Sequence, residues 1–138
     1  MTERRQRDQQ GQVLILAVFV MAFLFVPLAI YVIDSGLVEA AHVQTGETLQ
    51  AAAEDGAQSI DVAAFRNSGG QVVRLDPDQA RAASDRSLRA SRLPGLEGWT
   101  IGVSGNTVTV TARVRVNLFV LGAVTLTQSK GATFAIGT

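Results

Sequence analysis

The stretch GQVLILAVFVMAFLFVPLAIYVIDSG, residues 11–36, contains the longest apolar run of the chain. Residues 13–33 carry no charge, and a helix of that length is about 30 Å long, which matches the hydrocarbon core of a bilayer. A cleaved secretory signal would have a shorter apolar region, of about 7–15 residues, and then a small-x-small cleavage site, which does not follow Ile33. The rest of the chain has too little apolar sequence to bury such a helix. We therefore predict that residues 13–33 form a retained transmembrane helix.

Basic residues flank this apolar run on one side only. Three arginines precede it, namely Arg4, Arg5 and Arg7. The first basic residue after it is Arg66. The positive-inside rule places the more basic flank in the cytoplasm. We therefore predict a single-pass protein of the cell membrane, with residues 1–12 as a cytoplasmic basic tail and the chain from Asp34 onward outside the cytoplasm.

The formal net charge of zero conceals an asymmetry along the chain. Residues 34–61 carry six acidic residues and no basic ones, whereas residues 62–138 carry nine basic residues against four acidic ones. The candidates for electrostatic contacts are Asp34, Glu39, Glu47, Glu54 and Asp55. Asp34 is either paired with a partner or simply a solvated charge that ends the apolar run. The second interpretation is favoured because charges at a membrane interface need no partner.

The helix is predicted to continue beyond the membrane as an acidic helical stalk over residues 34–66. Residues 37–60 contain no proline and many alanines. Glycine inside a helix costs about 1 kcal/mol relative to alanine, and close approach of a second helix can compensate for it. Two pairs have the small-xxx-small spacing that allows such an approach, Gly36/Ala40 and Ala52/Gly56. The alternative is that the glycines are helix ends or loose joints.

Residues 67–138 are predicted to form a small α+β domain outside the cytoplasm. In DPDQARAASDRSLRASRLPG, Asp76 suits the N-cap and Pro77 the first helical position. The later segment TVTVTARVRVN, residues 107–117, alternates small apolar residues with polar ones, which is typical of a half-buried strand. A strand in WTIGVS and a tight turn at SGN precede it. The segment TLTQSKGATFAI supplies one or two further strands of an antiparallel sheet.

These features, in this order, resemble the TadE/TadG-like proteins of the Tad (Flp) pilus assembly system. The matching positions are Arg4, Arg5, Gly11, Pro27, Asp34, Gly36 and residues 51–57. The resemblance implies an α+β, pilin-like fold in which a long N-terminal transmembrane helix extends outside the membrane and carries one short helix and a small antiparallel sheet. It also implies a membrane-anchored structural component, similar to a minor pilin or pseudopilin, of a Tad/Flp-type pilus or related secretion apparatus. Other subunits of that apparatus, in homo- or hetero-oligomers, are then the expected partners.

Gly11 and Gln12 form the candidate processing site that the resemblance implies. Prepilin-like members have a glycine before the cleavage point and a glutamate five residues beyond that glycine. In this chain the fifth residue after Gly11 is Leu16. The sequence therefore favours the TadG-like variant, which resembles an uncleaved anchor.

The alternative function is a membrane-anchored extracytoplasmic binding module unrelated to a filament. We do not expect an enzyme, because His42 is the single histidine, cysteine is missing, and no catalytic set of residues can be assembled. The same scarcity argues against metal ligands and a cofactor. Basic residues alternate with acids or valines and few aromatic residues accompany them, so we expect no nucleic acid, and no small-molecule substrate either.

Overall fold

The computed structural model describes the backbone of residues 2–120 and 122–134, and the side chains of residues 11–120 and 122–134. Its elements are α1 (Thr2–Ala57), α2 (Val62–Asn67), α3 (Pro77–Ser91), β1 (Leu96–Ser104), β2 (Thr107–Asn117) and β3 (Ala123–Thr133). The predicted α+β layout is therefore confirmed. Most side chains of the predicted basic tail, and the last residues of the predicted final strand, lie outside the described residues.

α1 is one helix of 56 residues, and it continues through Pro27. Gly36, Gly46 and Gly56 all lie inside it, so none of them is a helix end. Residues 11–29 are exposed along the whole length, and Phe23 is 83% exposed. In the described part of the chain, α1 alone is long and apolar enough to cross a membrane.

The C-terminal end of α1 belongs to the hydrophobic core of a small domain, which we call the head. The head consists of residues 45–57 of α1 together with α2, α3 and the sheet. The core residues that α1 contributes are Leu49, Ala52, Ala53 and Ala57. They pack with Leu88 of α3 and with Val108 and Val110 of β2, all of which are fully buried. The same helix that carries the exposed apolar segment therefore also forms part of the core.

The sheet has the order β1-β2-β3, and both strand pairs are antiparallel. Burial alternates along β2 as the sequence predicts, because Val108 and Val110 are buried whereas Thr109 and Arg113 are exposed. The buried face lies against α1, which contacts β2 and β3, and α3 contacts α1 and β1. The opposite face of the sheet has no covering element in the described part of the chain.

The end of the predicted stalk differs from the structure. α1 ends at Ala57, and α2 is a separate short helix because Asp61 accepts the Ala64 N–H as an N-cap. Residues 71–75, QVVRL, form no strand, and Leu75 makes an isolated bridge with Ile60. The predicted cap of the next helix is confirmed, since Asp76 accepts hydrogen bonds from the first turn of α3.

Candidate functional site: three surfaces along α1

Asp34 joins the end of the apolar run to the loop between β2 and β3. Its side chain is buried, at 5% exposure. Oδ1 accepts a hydrogen bond of 2.8 Å from the Phe119 N–H, and Oδ2 lies 3.4 Å from the Val120 nitrogen. Two backbone N–H groups satisfy a carboxylate without any cation. The structure therefore gives Asp34 partners in its own chain, where the sequence suggested either a separate partner or water.

The loop that Asp34 holds presents apolar side chains. Phe119 is 78% exposed and Val120 is 58% exposed. The Leu118 N–H donates to the Gly122 carbonyl at 2.6 Å and closes the loop, and Gly122 has a φ of +79°, which suits glycine. We call Leu118, Phe119 and Val120 the apolar tip. The position of the tip beside α1 and its bonds to Asp34 were not predicted from the sequence.

A groove of about 340 Å³ lies between the apolar tip and α1. Leu118 and Val120 form one side of it, and Pro27, Ile30 and Tyr31 form part of the other. The tip therefore lies beside the last turns of the apolar segment of α1. This position brings residues from opposite ends of the chain onto one apolar surface.

In the second small-residue pair, Gly56 contacts α3 of the same chain and Ala52 is buried in the core. A Cβ atom on Gly56 would overlap Ser84 Oγ and would lie 3.0 Å from the Ala80 carbonyl oxygen. Here the second helix that the spacing suggests is provided within the chain. The first pair differs, because nothing lies within 4 Å of a Cβ built on Gly36, and Ala40 is exposed.

The acidic surface of α1 remains without basic partners in the described part of the chain. Glu39, Glu47, Glu54 and Asp55 are all exposed, and Glu54 accepts only an amide hydrogen bond, from Gln50 at 2.8 Å. The ion pairs of the described residues are Asp61–Arg74, Asp78–Arg81, Asp85–Arg89 and Glu97–Arg115. The charge asymmetry of the sequence is therefore only slightly neutralised inside the chain.

Two carboxylates of the head have lowered pKa values. Hydrogen bonding to Arg89 at 2.7 Å is the main cause for Asp85, and Trp99 Nε1 donates a further bond of 3.0 Å that also lowers the pKa. For Asp61 the main cause is the Ala64 N–H, followed by the hydrogen bond from Arg74, and both lower its pKa. These contacts tie α3 to β1 and cap α2, so their role is structural.

No catalytic or metal-binding arrangement occurs among the residues whose side chains are described. His42 lies on the exposed side of α1, and the Gln128 amide nitrogen lies 3.0 Å from its Nε2. In this part of the chain no three His, Asp or Glu side chains are close enough together to hold a metal ion. The candidate processing site lies inside α1, where Gly11 and Gln12 are exposed and Leu16 is 65% exposed.

Comparison with known proteins adds no relative to this description. No protein-family model, no curated protein and no solved structure matches the chain.

Proposed function

We propose that this protein is a membrane-anchored structural subunit, similar to a minor pilin or pseudopilin, of a Tad/Flp-type pilus or a related secretion apparatus. One observation carries the proposal: α1 is a single helix that supplies both an uncovered apolar segment and part of the core of the head. Apolar surface leaves water with a gain of roughly 25 cal/mol per Å², and the head leaves residues 11–29 uncovered. A bilayer is the solvent that suits this surface.

The surfaces of α1 support assembly with other subunits. Gly36 and Ala40 are exposed just beyond the apolar segment, and small residues let a neighbouring helix approach closely. The exposed acidic residues farther along α1 and the basic residues of 62–138 are complementary in sign. In the proposed mechanism, helices of neighbouring subunits pack laterally through the small residues, and each head contacts its neighbours.

Topology is the first test of this function. The basic tail before residue 13 predicts a head outside the cytoplasm. Protease added to spheroplasts should therefore remove an epitope placed after Ser68 without any detergent. The N-terminus should precede Gly11 in the mass spectrum of the mature protein. A mature N-terminus at Gln12 would instead identify a cleaved pseudopilin.

The role in a filament needs a test in the organism that carries the gene. Deletion should remove or shorten its pili in electron micrographs, or should reduce secretion, and the intact chain should restore them. Because the chain has no cysteine, Gly36→Cys introduces a single crosslinking site. That variant should crosslink to a second copy or to another subunit, whereas Thr109→Cys on the open face of the sheet is the control. Normal pili and secretion after deletion would favour an anchored binding module.

A further inference from the structure

We propose, on the basis of the membrane anchoring proposed above, that the apolar tip is a second membrane contact that enters the lipid of the outer leaflet beside α1. The tip inserts at the boundary between the lipid headgroups and acyl chains and does not dock on another protein. The proposal depends on three features of the structure. They are the depth of the tip along α1, the satisfaction of its backbone N–H groups, and the outward exposure of its side chains.

The depth of the tip is set by its contacts with α1. Val120 and Leu118 line the groove together with Pro27, Ile30 and Tyr31, which all belong to the uncharged run. At about 1.5 Å per residue, Pro27 lies about 10 Å before Asp34 along the axis. Interfacial apolar groups reach about 5–10 Å into the boundary between headgroups and acyl chains. The tip is therefore at the depth of lipid whenever residues 13–33 span the bilayer.

The backbone N–H groups of the tip have partners within the protein, which suits a medium that offers few hydrogen bonds. An unsatisfied N–H in the hydrocarbon region is costly, so irregular backbone occurs there only when its polar groups have protein partners. The Leu118 N–H bonds to the Gly122 carbonyl, and the Phe119 N–H donates to Asp34. The Val120 nitrogen lies 3.4 Å from the same carboxylate. Asp34 thus accepts hydrogen bonds from the loop, and the loop in turn shields the Asp34 carboxylate from lipid.

The side chains of the tip continue the exposed apolar surface of α1. Phe119 is 78% exposed, Tyr31 is 69% exposed, and Val32 is 61% exposed. In a water-soluble head, a loop between two strands would normally present polar side chains. An exposed phenylalanine next to the transmembrane segment is instead continuous with the surface that already meets lipid. Because the two surfaces are continuous, the tip has the same surroundings as the apolar segment, namely lipid.

A nitroxide label tests the depth of the tip directly, because every introduced cysteine is the only one in the chain. The full-length variants Phe119→Cys, Phe23→Cys and Thr109→Cys are labelled and reconstituted in phosphatidylcholine vesicles. Oxygen concentrates in lipid and a water-soluble nickel complex in water, so the ratio of their collision rates with the label reports its surroundings. We expect a several-fold higher ratio at position 119 than at 109, approaching that at position 23.

The two controls separate this inference from the anchoring itself. A water-like ratio at 119 together with a lipid-like ratio at 23 would overturn the membrane contact and leave the anchor intact. Water-like ratios at both positions would mean that the anchoring proposal fails. A label at 119 that neither reagent reaches, and that becomes accessible on dilution of the protein in the vesicles, would identify a protein interface and overturn the choice of lipid.

The role of Asp34 is tested in the same vesicles. In the Phe119→Cys background, Asp34→Ala should lower the collision ratio at position 119 toward that at 109, because the loop loses its attachment to α1. Asp34→Asn retains a side-chain oxygen that accepts the Phe119 N–H, so most of the ratio should remain. Trp99 fluorescence should be the same in both variants, which shows that the head is still folded. An unchanged ratio in Asp34→Ala would overturn the positioning role of this carboxylate.

Discussion

The two halves of α1 are both rich in apolar residues, yet their surroundings are opposite. Residues 13–33 consist mainly of large leucine, valine and phenylalanine side chains, and almost all are exposed. Residues 45–57 are mainly alanine, threonine and glycine, and half of this stretch is buried against the sheet and α3. Within one helix, side-chain size therefore distinguishes the half suited to lipid from the half that packs on a sheet, because small residues let other elements approach the backbone.

The largest expected effect comes from a charge on the face of the sheet that covers the second half of α1. Val110 is fully buried there, so Val110→Asp should destabilise the head by several kcal/mol, the cost of a buried charge without a partner. Urea unfolding in detergent, followed by Trp99 fluorescence, measures this loss. Membrane insertion of residues 13–33 should persist. Thr109→Asp on the open face is the control. Equal loss of stability in both variants would contradict the assignment of Val110 to the buried face and Thr109 to the open face.

The next largest effect separates two glycines of the same helix. Gly56→Ala should destabilise the head by about 1–3 kcal/mol, because the added methyl group meets Ser84 and the backbone of Ala80. Gly36→Ala meets open space and should raise helix stability by up to about 1 kcal/mol. Urea unfolding of the head should show the first effect and no loss for the second. A neutral Gly56→Ala would show that α1 and α3 are not in close contact.

A smaller effect is expected for the acidic surface of α1, formed by Glu39, Glu47, Glu54 and Asp55. If the basic surface of residues 62–138 in neighbouring copies contacts it, self-association in detergent should weaken as salt rises, since each exposed pair contributes at most about 1 kcal/mol and is screened. Replacing Glu47, Glu54 and Asp55 by glutamine or asparagine should weaken association similarly in sedimentation experiments. Asp78→Asn, which removes an exposed charge from α3, is the matched control. Association that is insensitive to both changes would leave helix packing as the explanation.

The smallest effect concerns acid stability of the head. Asp61 and Asp85 have folded pKa values below the ordinary value of 3.8. A carboxylate with a lowered folded pKa contributes stability above its unfolded pKa and loses that contribution as the pH falls through the folded value. The head should therefore lose some stability below about pH 4, and Asp85→Asn should lose less between pH 4 and pH 2. An identical acid profile for wild type and variant would remove this carboxylate as a cause.

The elements with local signals were predictable from the sequence. The uncharged run indicated the exposed half of α1, Asp76 and Pro77 indicated the start of α3, and the alternation in residues 107–117 indicated a strand with one buried face. Each of these signals lies within a few neighbouring residues. Helix caps and periodic burial are local consequences of backbone geometry, so a single sequence reveals them.

The contacts that define the candidate surfaces were not predictable in this way. Asp34 accepts hydrogen bonds from backbone N–H groups of Phe119 and Val120, which any residue type would offer and which lie far away in the chain. The spacing of Ala52 and Gly56 indicated a helix partner but not whether α3 or another molecule would supply it. The end of α1 at Ala57 was also missed, because Asp61 as the cap of α2 competes with continued helix.

The uninterrupted course of α1 has a mechanical consequence. Beyond Pro27, residues 34–57 of α1 form an uninterrupted helix, about 36 Å long at about 1.5 Å per residue. The sheet packs on this helix around Leu49. The loop between β2 and β3 is hydrogen-bonded to it at Asp34, about 22 Å away along the axis at the same rise. Two separate contacts along one helix resist rotation of the head relative to the helix, whereas a single contact would allow it. Tilting residues 34–57 of α1 therefore turns the open face of the sheet through the same angle, and a neighbour that holds the head also sets the tilt of this part of the helix.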